Sequence, residues 1–130
     1  LESMAARLIT LHASDAEIAS LRTLFASPDG DQAKADIDEY SDRNIRFHQA
    51  IIRMSKCDLL VEMADNLFIH MRAIRAKTIS EDDRVSRSII DHMNIIEALE
   101  QRNTELAEKL ARQHTLDLAA HVEKNVHYLD

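Results

Sequence analysis

Residues 85–122 read VSRSIIDHMNIIEALEQRNTELAEKLARQHTLDLAAHV, and this stretch decides the fold. Ile89, Ile96 and Leu99 recur at the three-to-four-residue spacing of one helical face, and so do Leu106, Leu110, Ala111 and Leu118 after an interruption at Gln101–Thr104. The interruption is polar and holds Asn103 and Thr104, both helix N-caps by type. The stretch therefore predicts a helix over about 85–101 and another from Asn103 or Thr104 past Val122. Each buries a histidine on its apolar side. His92 falls in direction between Leu99 and the Ile89/Ile96 pair, and His114 falls in the arc of Leu106, Leu110, Ala111 and Leu118.

Working outward, the same periodicity continues. Met4, Ala5, Leu8 and Leu11 suggest one face of a first helix that ends near His12. Ser14 and Glu17 form a capping box that opens a second helix through Ile18, Leu21, Leu24 and Phe25. Ser27-Pro28-Asp29-Gly30 is the strongest turn signal in the chain. A third helix is expected over about Asp31 to Ser55, with Ala33, Ile37, Tyr40, Phe47, Ile51 and Met54 inward. A fourth is expected over about Asp58 to Lys77, through Leu60, Met63, Leu67, Met71 and Ile74. Ser80 to Arg84 reads as a loop.

With one Gly and one Pro in 130 residues, the chain lacks the turn chemistry of a β-fold. The expectation is a single all-α bundle, occupying residues 1–130 as one domain. A net charge of −7 and the lack of any Lys/Arg cluster argue against this segment gripping a phosphate backbone. A single cysteine, Cys57, supplies no disulfide framework and suits a reducing, cytoplasmic setting. No apolar run approaches membrane-spanning length. The chain begins at Leu1 inside an amphipathic pattern and reads as a piece of a longer protein.

Asn44 and His48, one turn apart in NIRFH, fall inside the arc of Ile37, Tyr40 and Ile51. Three stretches thus each aim a nitrogen ligand inward. Neutral imidazole is the commonest protein ligand for transition metals, and two ligands at i and i+4 can share an ion. Three imidazoles with one amide oxygen would hold a divalent ion, Zn, Ni or Mn, and leave positions open for water or an exogenous ligand. The plainer reading makes each histidine a hydrogen-bonded core residue, and Asn44 a backbone-satisfying amide. His121 lies seven residues beyond His114 on the same face and reads as a supporting or packing residue. His12, His70 and His127 read as solvated or capping groups.

These residues resemble the effector-binding (FCD) domain of GntR-type bacterial transcription regulators, in the FadR-like group. NIRFH matches the family's D/N-x-x-x-H with an aromatic before the histidine, at Asn44, Phe47 and His48. Asp91-His92 through Ile95, Ala98 and Leu99 matches the acidic-His opening of an H-x-x-I-x-x-A-L stretch, and His114 follows 22 residues later. Residues 1–25 look like the family's first two helices. The resemblance implies a single all-α antiparallel bundle of six to seven helices with a central metal or ligand cavity, which binds one metal through Asn44, His48, His92 and His114 and a small carboxylate effector beside it. It implies DNA binding through an N-terminal winged helix-turn-helix that this chain does not include, and a homodimer is expected as the usual partner of a palindromic operator. Two departures stand out. Asn44 replaces the frequent Asp, leaving the ion its full charge. Gln101-Arg102-Asn103-Thr104 replaces a Gly-Asp turn, so Asn103 must cap the last helix.

An effector carboxylate on the ion would need a guanidinium for its second oxygen. Arg75, close in direction to Leu67 and Met71, is the first candidate and Arg72 the second; either can equally be a solvated charge. Two rival readings are a metal-dependent enzyme and a metal-free interaction module. The enzyme lacks support because HExxH is absent and no Glu precedes a His by three residues.

Overall fold

The computed structural model describes residues 1–24, 37–78 and 82–124, with the side chains of 1–24, 42–71 and 87–124. Six α-helices make up the described residues: α1 (Glu2–His12), α2 (Asp15–Thr23), α3 (Ile37–Met54), α4 (Asp58–Thr78), α5 (Asp82–Glu100) and α6 (Thr104–Lys124). No strand occurs among them, so the all-α expectation holds. The Ser27–Gly30 turn and the proposed helical start at 31–36 lie outside the described residues.

The helix ends follow local chemistry. Ser14 Oγ accepts from the Glu17 amide while the Glu17 carboxylate accepts from the Ser14 amide, so the capping box forms as read. Asn103 Oδ1 accepts from the Leu106 amide at 3.2 Å and caps α6. Between α5 and α6, the Asn103 amide donates to Ala98 O and the Arg102 amide to Leu99 O, both at 3.0 Å. That pair is a Schellman closure, and it places Arg102 in the left-handed region at φ 57°. A side chain with a Cβ is disfavoured there. The guanidinium offsets the cost by donating to Ala13 O at 2.6 Å and to Asp15 Oδ1 at 2.8 Å, with longer contacts to Ile9 O and Thr10 O. It thereby satisfies carbonyls at the end of α1 that the helix itself leaves open.

The core joins α1, α3, α5 and α6 with contributions from α2 and α4. Its members include Ile9, Ile18, Leu21, Phe47, Ile51, Ile52, Ile95, Ile96 and Leu99. Helices α1 and α6 pack against each other and both bury alanines (Ala5, Ala6, Ala107, Ala111), small residues that permit close approach. Thr10 Oγ1 and Thr104 Oγ1 hydrogen-bond at 2.8 Å across the same seam.

Three sequence expectations need correction. The buried face of α1 is Ala5, Ala6, Ile9 and Thr10, whereas Met4 and Leu11 are more than half exposed. The long side chains misled because the seam with α6 accepts alanines. On α4 the inward residues are Leu60, Ala64 and Phe68, one step around from the expected Met63 and Leu67. Two apolar stripes overlap on this helix, and periodicity alone does not rank them. Finally, α5 begins at Asp82, three residues before the expected Val85, so Asp82–Arg84 is helix and not loop. Consecutive acidic residues are themselves a helix-start signal.

Candidate metal centre and effector cavity

Helix α3 supplies Asn44 and His48, α5 supplies His92, and α6 supplies His114. All four are buried, at 0–3% exposure, which removes solvent as the partner of their polar atoms. One ligand nitrogen from each histidine lies within 4.8 Å of the other two. The Nε2 atoms of His92 and His114 are 3.1 Å apart. Two imidazoles bound to one ion at about 2.0–2.1 Å stand roughly 3 Å apart, so this spacing fits a shared ion.

Carboxylates stand behind two of the rings. His114 Nδ1 lies 3.1 Å from Asp91 Oδ2, and His48 Nδ1 lies against Glu2 Oε1. A carboxylate accepting from Nδ1–H fixes the tautomer that turns the Nε2 lone pair toward the cluster, as it does behind metal-bound histidines generally. Phe47 stacks on His92, with centroids 4.4 Å apart and planes 28° apart, and so holds that ring's orientation. Sequence reasoning found the three histidines but not the roles of Asp91 and Glu2. Asp91 was visible as part of the Asp91-His92 pair; nothing in the sequence places Glu2 of α1 beside α3.

The donor set suits a divalent ion. His48 Nε2, Asn44 Oδ1 and Asn44 Nδ2 are buried and have no hydrogen-bond partner among the described residues. Such atoms are costly to bury unless something binds them. Asn44 sits one turn before His48 on the face that carries it, where its oxygen can complete the set.

A cavity of about 260 Å³ opens beside the cluster. His48 and His114 line it, with Ile52, Ala64, Phe68, Met71 and Leu118 as apolar wall, and Leu1, Leu67 and Leu116 at its more exposed edge. Glu2 and Arg112 also face it. Sequence reasoning missed Arg112, because on a helical wheel it lies opposite the buried stripe of α6. The side chains of Arg72 and Arg75 lie outside the described residues; both positions are on α4. His121 is half-buried on α6 and does not join the three-histidine group. His12 and His70 are exposed, and His127 lies outside the described residues.

With this geometry in place, comparison with known families is decisive. The family model of the FCD domain matches residues 1–117. The chain belongs to the FCD family. It is therefore an effector-binding domain of the kind found in GntR-type regulators, a regulatory ligand-binding module. No curated protein matches the chain closely. No helix among the described residues of this FCD domain is long and apolar enough to cross a membrane.

Proposed function

We propose that this FCD domain senses a small carboxylate held beside a divalent metal, and that His48, His92, His114 and Asn44 bind the metal. The observation that carries the reading is the convergence of three buried imidazoles on one point, two of them backed by carboxylates and two of them lining a cavity. Zn, Ni and Mn all suit imidazole-rich ligands. When bound, the ion supplies positive charge and an exchangeable position for an anionic oxygen. The chain's own groups do the rest. Asp91 and Glu2 hold two rings in the ligating tautomer, Phe47 fixes the third, and the apolar wall excludes water.

The function is regulatory and not catalytic: the two carboxylates beside the cluster, Asp91 and Glu2, are engaged by His114 and His48, and the FCD family is one of regulatory ligand-binding domains. In the cytoplasm, ligand occupancy would bias the bundle between arrangements and change operator affinity of a winged helix-turn-helix preceding this segment. A coupling of about 1–3 kcal/mol gives roughly 5- to 150-fold in affinity. A homodimer is the arrangement that a palindromic operator would require. The order NIRFH, Asp91-His92, His114 supports a place in the FadR-like group. Arg72 and Arg75 remain candidates for the effector's second oxygen.

The test is calorimetric titration of acetate and lactate into metal-loaded and chelator-treated protein. Binding that requires the metal is expected. Equal binding in the two forms would remove the metal from the sensing role.

A further inference from the structure

The cavity's lining is unequal in charge. Among the described residues that face it, Arg112 is the one cationic side chain, and no ion pair or hydrogen bond engages it. Glu2 brings a carboxylate to the α1 side, already against His48. Ile52, Ala64, Phe68, Met71 and Leu118 form an apolar wall, and the partly exposed Leu1, Leu67 and Leu116 carry that character outward; the hydroxyls in the lining are Ser3, next to Glu2 on the α1 side, and Thr115, which already donates to Ala111 O at 3.1 Å. At about 260 Å³ the space falls just under the roughly 300–1,000 Å³ of common ligand pockets, too small for a nucleotide or a long acyl chain.

We infer that the cavity takes a small monocarboxylate with an apolar body, its anionic end recognised by Arg112 and the histidine end of the cavity, and discriminates against dicarboxylates. This rests on the reading of the cavity as an effector site and narrows it. The body of such an acid covers apolar surface that is otherwise left to water. A second carboxylate along the same body would have to shed its water against Phe68, Ala64 and Leu118, side chains with no donor to offer, beside a Thr115 hydroxyl already donated to Ala111 O, and would face Glu2 on the α1 side. An uncharged analogue would leave Arg112 without its partner. Specificity of this kind comes from what the wall refuses as much as from what the cation attracts.

The experiment titrates hexanoate, adipate and hexan-1-ol into the whole chain by calorimetry, using wild type, Arg112→Met, Arg75→Met and Leu67→Lys. Metal content is measured on each sample, and melting curves verify folding. Both Arg112 and Leu67 are exposed enough to be replaced without emptying the core. Hexanoate is expected to bind about tenfold or more tighter than adipate or hexan-1-ol. Arg112→Met should weaken hexanoate by about tenfold, and Leu67→Lys should close or reverse the gap to adipate. Adipate binding wild type as tightly as hexanoate, no binding of hexanoate, or a loss confined to Arg75→Met would each overturn the inference. A metal-free sample that keeps the preference would support the inference while removing the metal anchor. A metal-loaded sample that prefers adipate would do the reverse.

Discussion

A buried amide with neither of its polar atoms hydrogen-bonded lowers stability by about 1–3 kcal/mol per group, and among the described residues Asn44 has no such partner. Metal ligation gives this residue a use that a purely structural histidine cluster does not. Asn44→Leu should therefore raise the melting temperature of chelator-treated protein while weakening metal binding. A variant less stable in both forms would mean that the amide has a structural partner. Behind the ligands, Asp91→Asn and Glu2→Gln should each reduce metal affinity by about 10- to 100-fold with the histidines intact, as loss of a carboxylate behind a metal-bound imidazole generally does. Competition with a chromogenic chelator measures this. At this scale the sequence was informative where a polar group interrupts an apolar stripe, as His92 and His114 do. It was silent where the partner comes from a distant segment. Glu2 and His48 are 46 positions apart, and no local pattern links them.

At the scale of elements, two helix ends place a non-glycine residue in the left-handed region, and they should respond to glycine differently. Lys56 has φ 59° after α3, and among the described residues its side chain makes only an exposed contact to Glu17. Lys56→Gly should stabilise by roughly 0.5–1 kcal/mol, because the strain relieved exceeds the value of a surface ion pair. Arg102 has φ 57° but fastens the end of α1. Arg102→Ala should cost roughly 2 kcal/mol, since it loses the guanidinium's hydrogen bonds and keeps the strain; Arg102→Gly should cost about 1 kcal/mol less. Urea unfolding of the four proteins tests the ordering. The existence of all six helices and the N-caps of α2 and α6 were legible, because Ser14, Glu17 and Asn103 act within one turn. The inward faces of α1 and α4 were not. Which of two overlapping stripes is buried depends on the neighbour, and the neighbour of α1 is an alanine-lined α6.

Across the whole molecule, charge and occupancy set stability. The Arg22 guanidinium donates to both Glu100 oxygens, at 2.9 and 2.6 Å, and holds that carboxyl below its ordinary range. Ser14, first, and Lys56 do the same for Glu17. Folded-state values lowered in this way contribute stability that is present above the unfolded value of 4.5 and is lost as pH falls through the folded values. Both pairs are exposed, so the acid limb should be shallow, and Glu100→Gln should flatten it further. Metal occupancy acts more strongly, since an ion that binds only the folded chain stabilises it by about 2.7 kcal/mol at a hundred times its dissociation constant. For a domain of 130 residues that corresponds to roughly 10 °C in melting temperature.

Elemental analysis of the purified domain, beside His48→Ala and His92→Ala, decides whether the three histidines hold a metal. About one divalent metal per chain is expected in wild type and little in either variant, with both variants still folded. Wild-type protein that stays metal-free after reconstitution, or variants that retain the metal, would contradict that expectation.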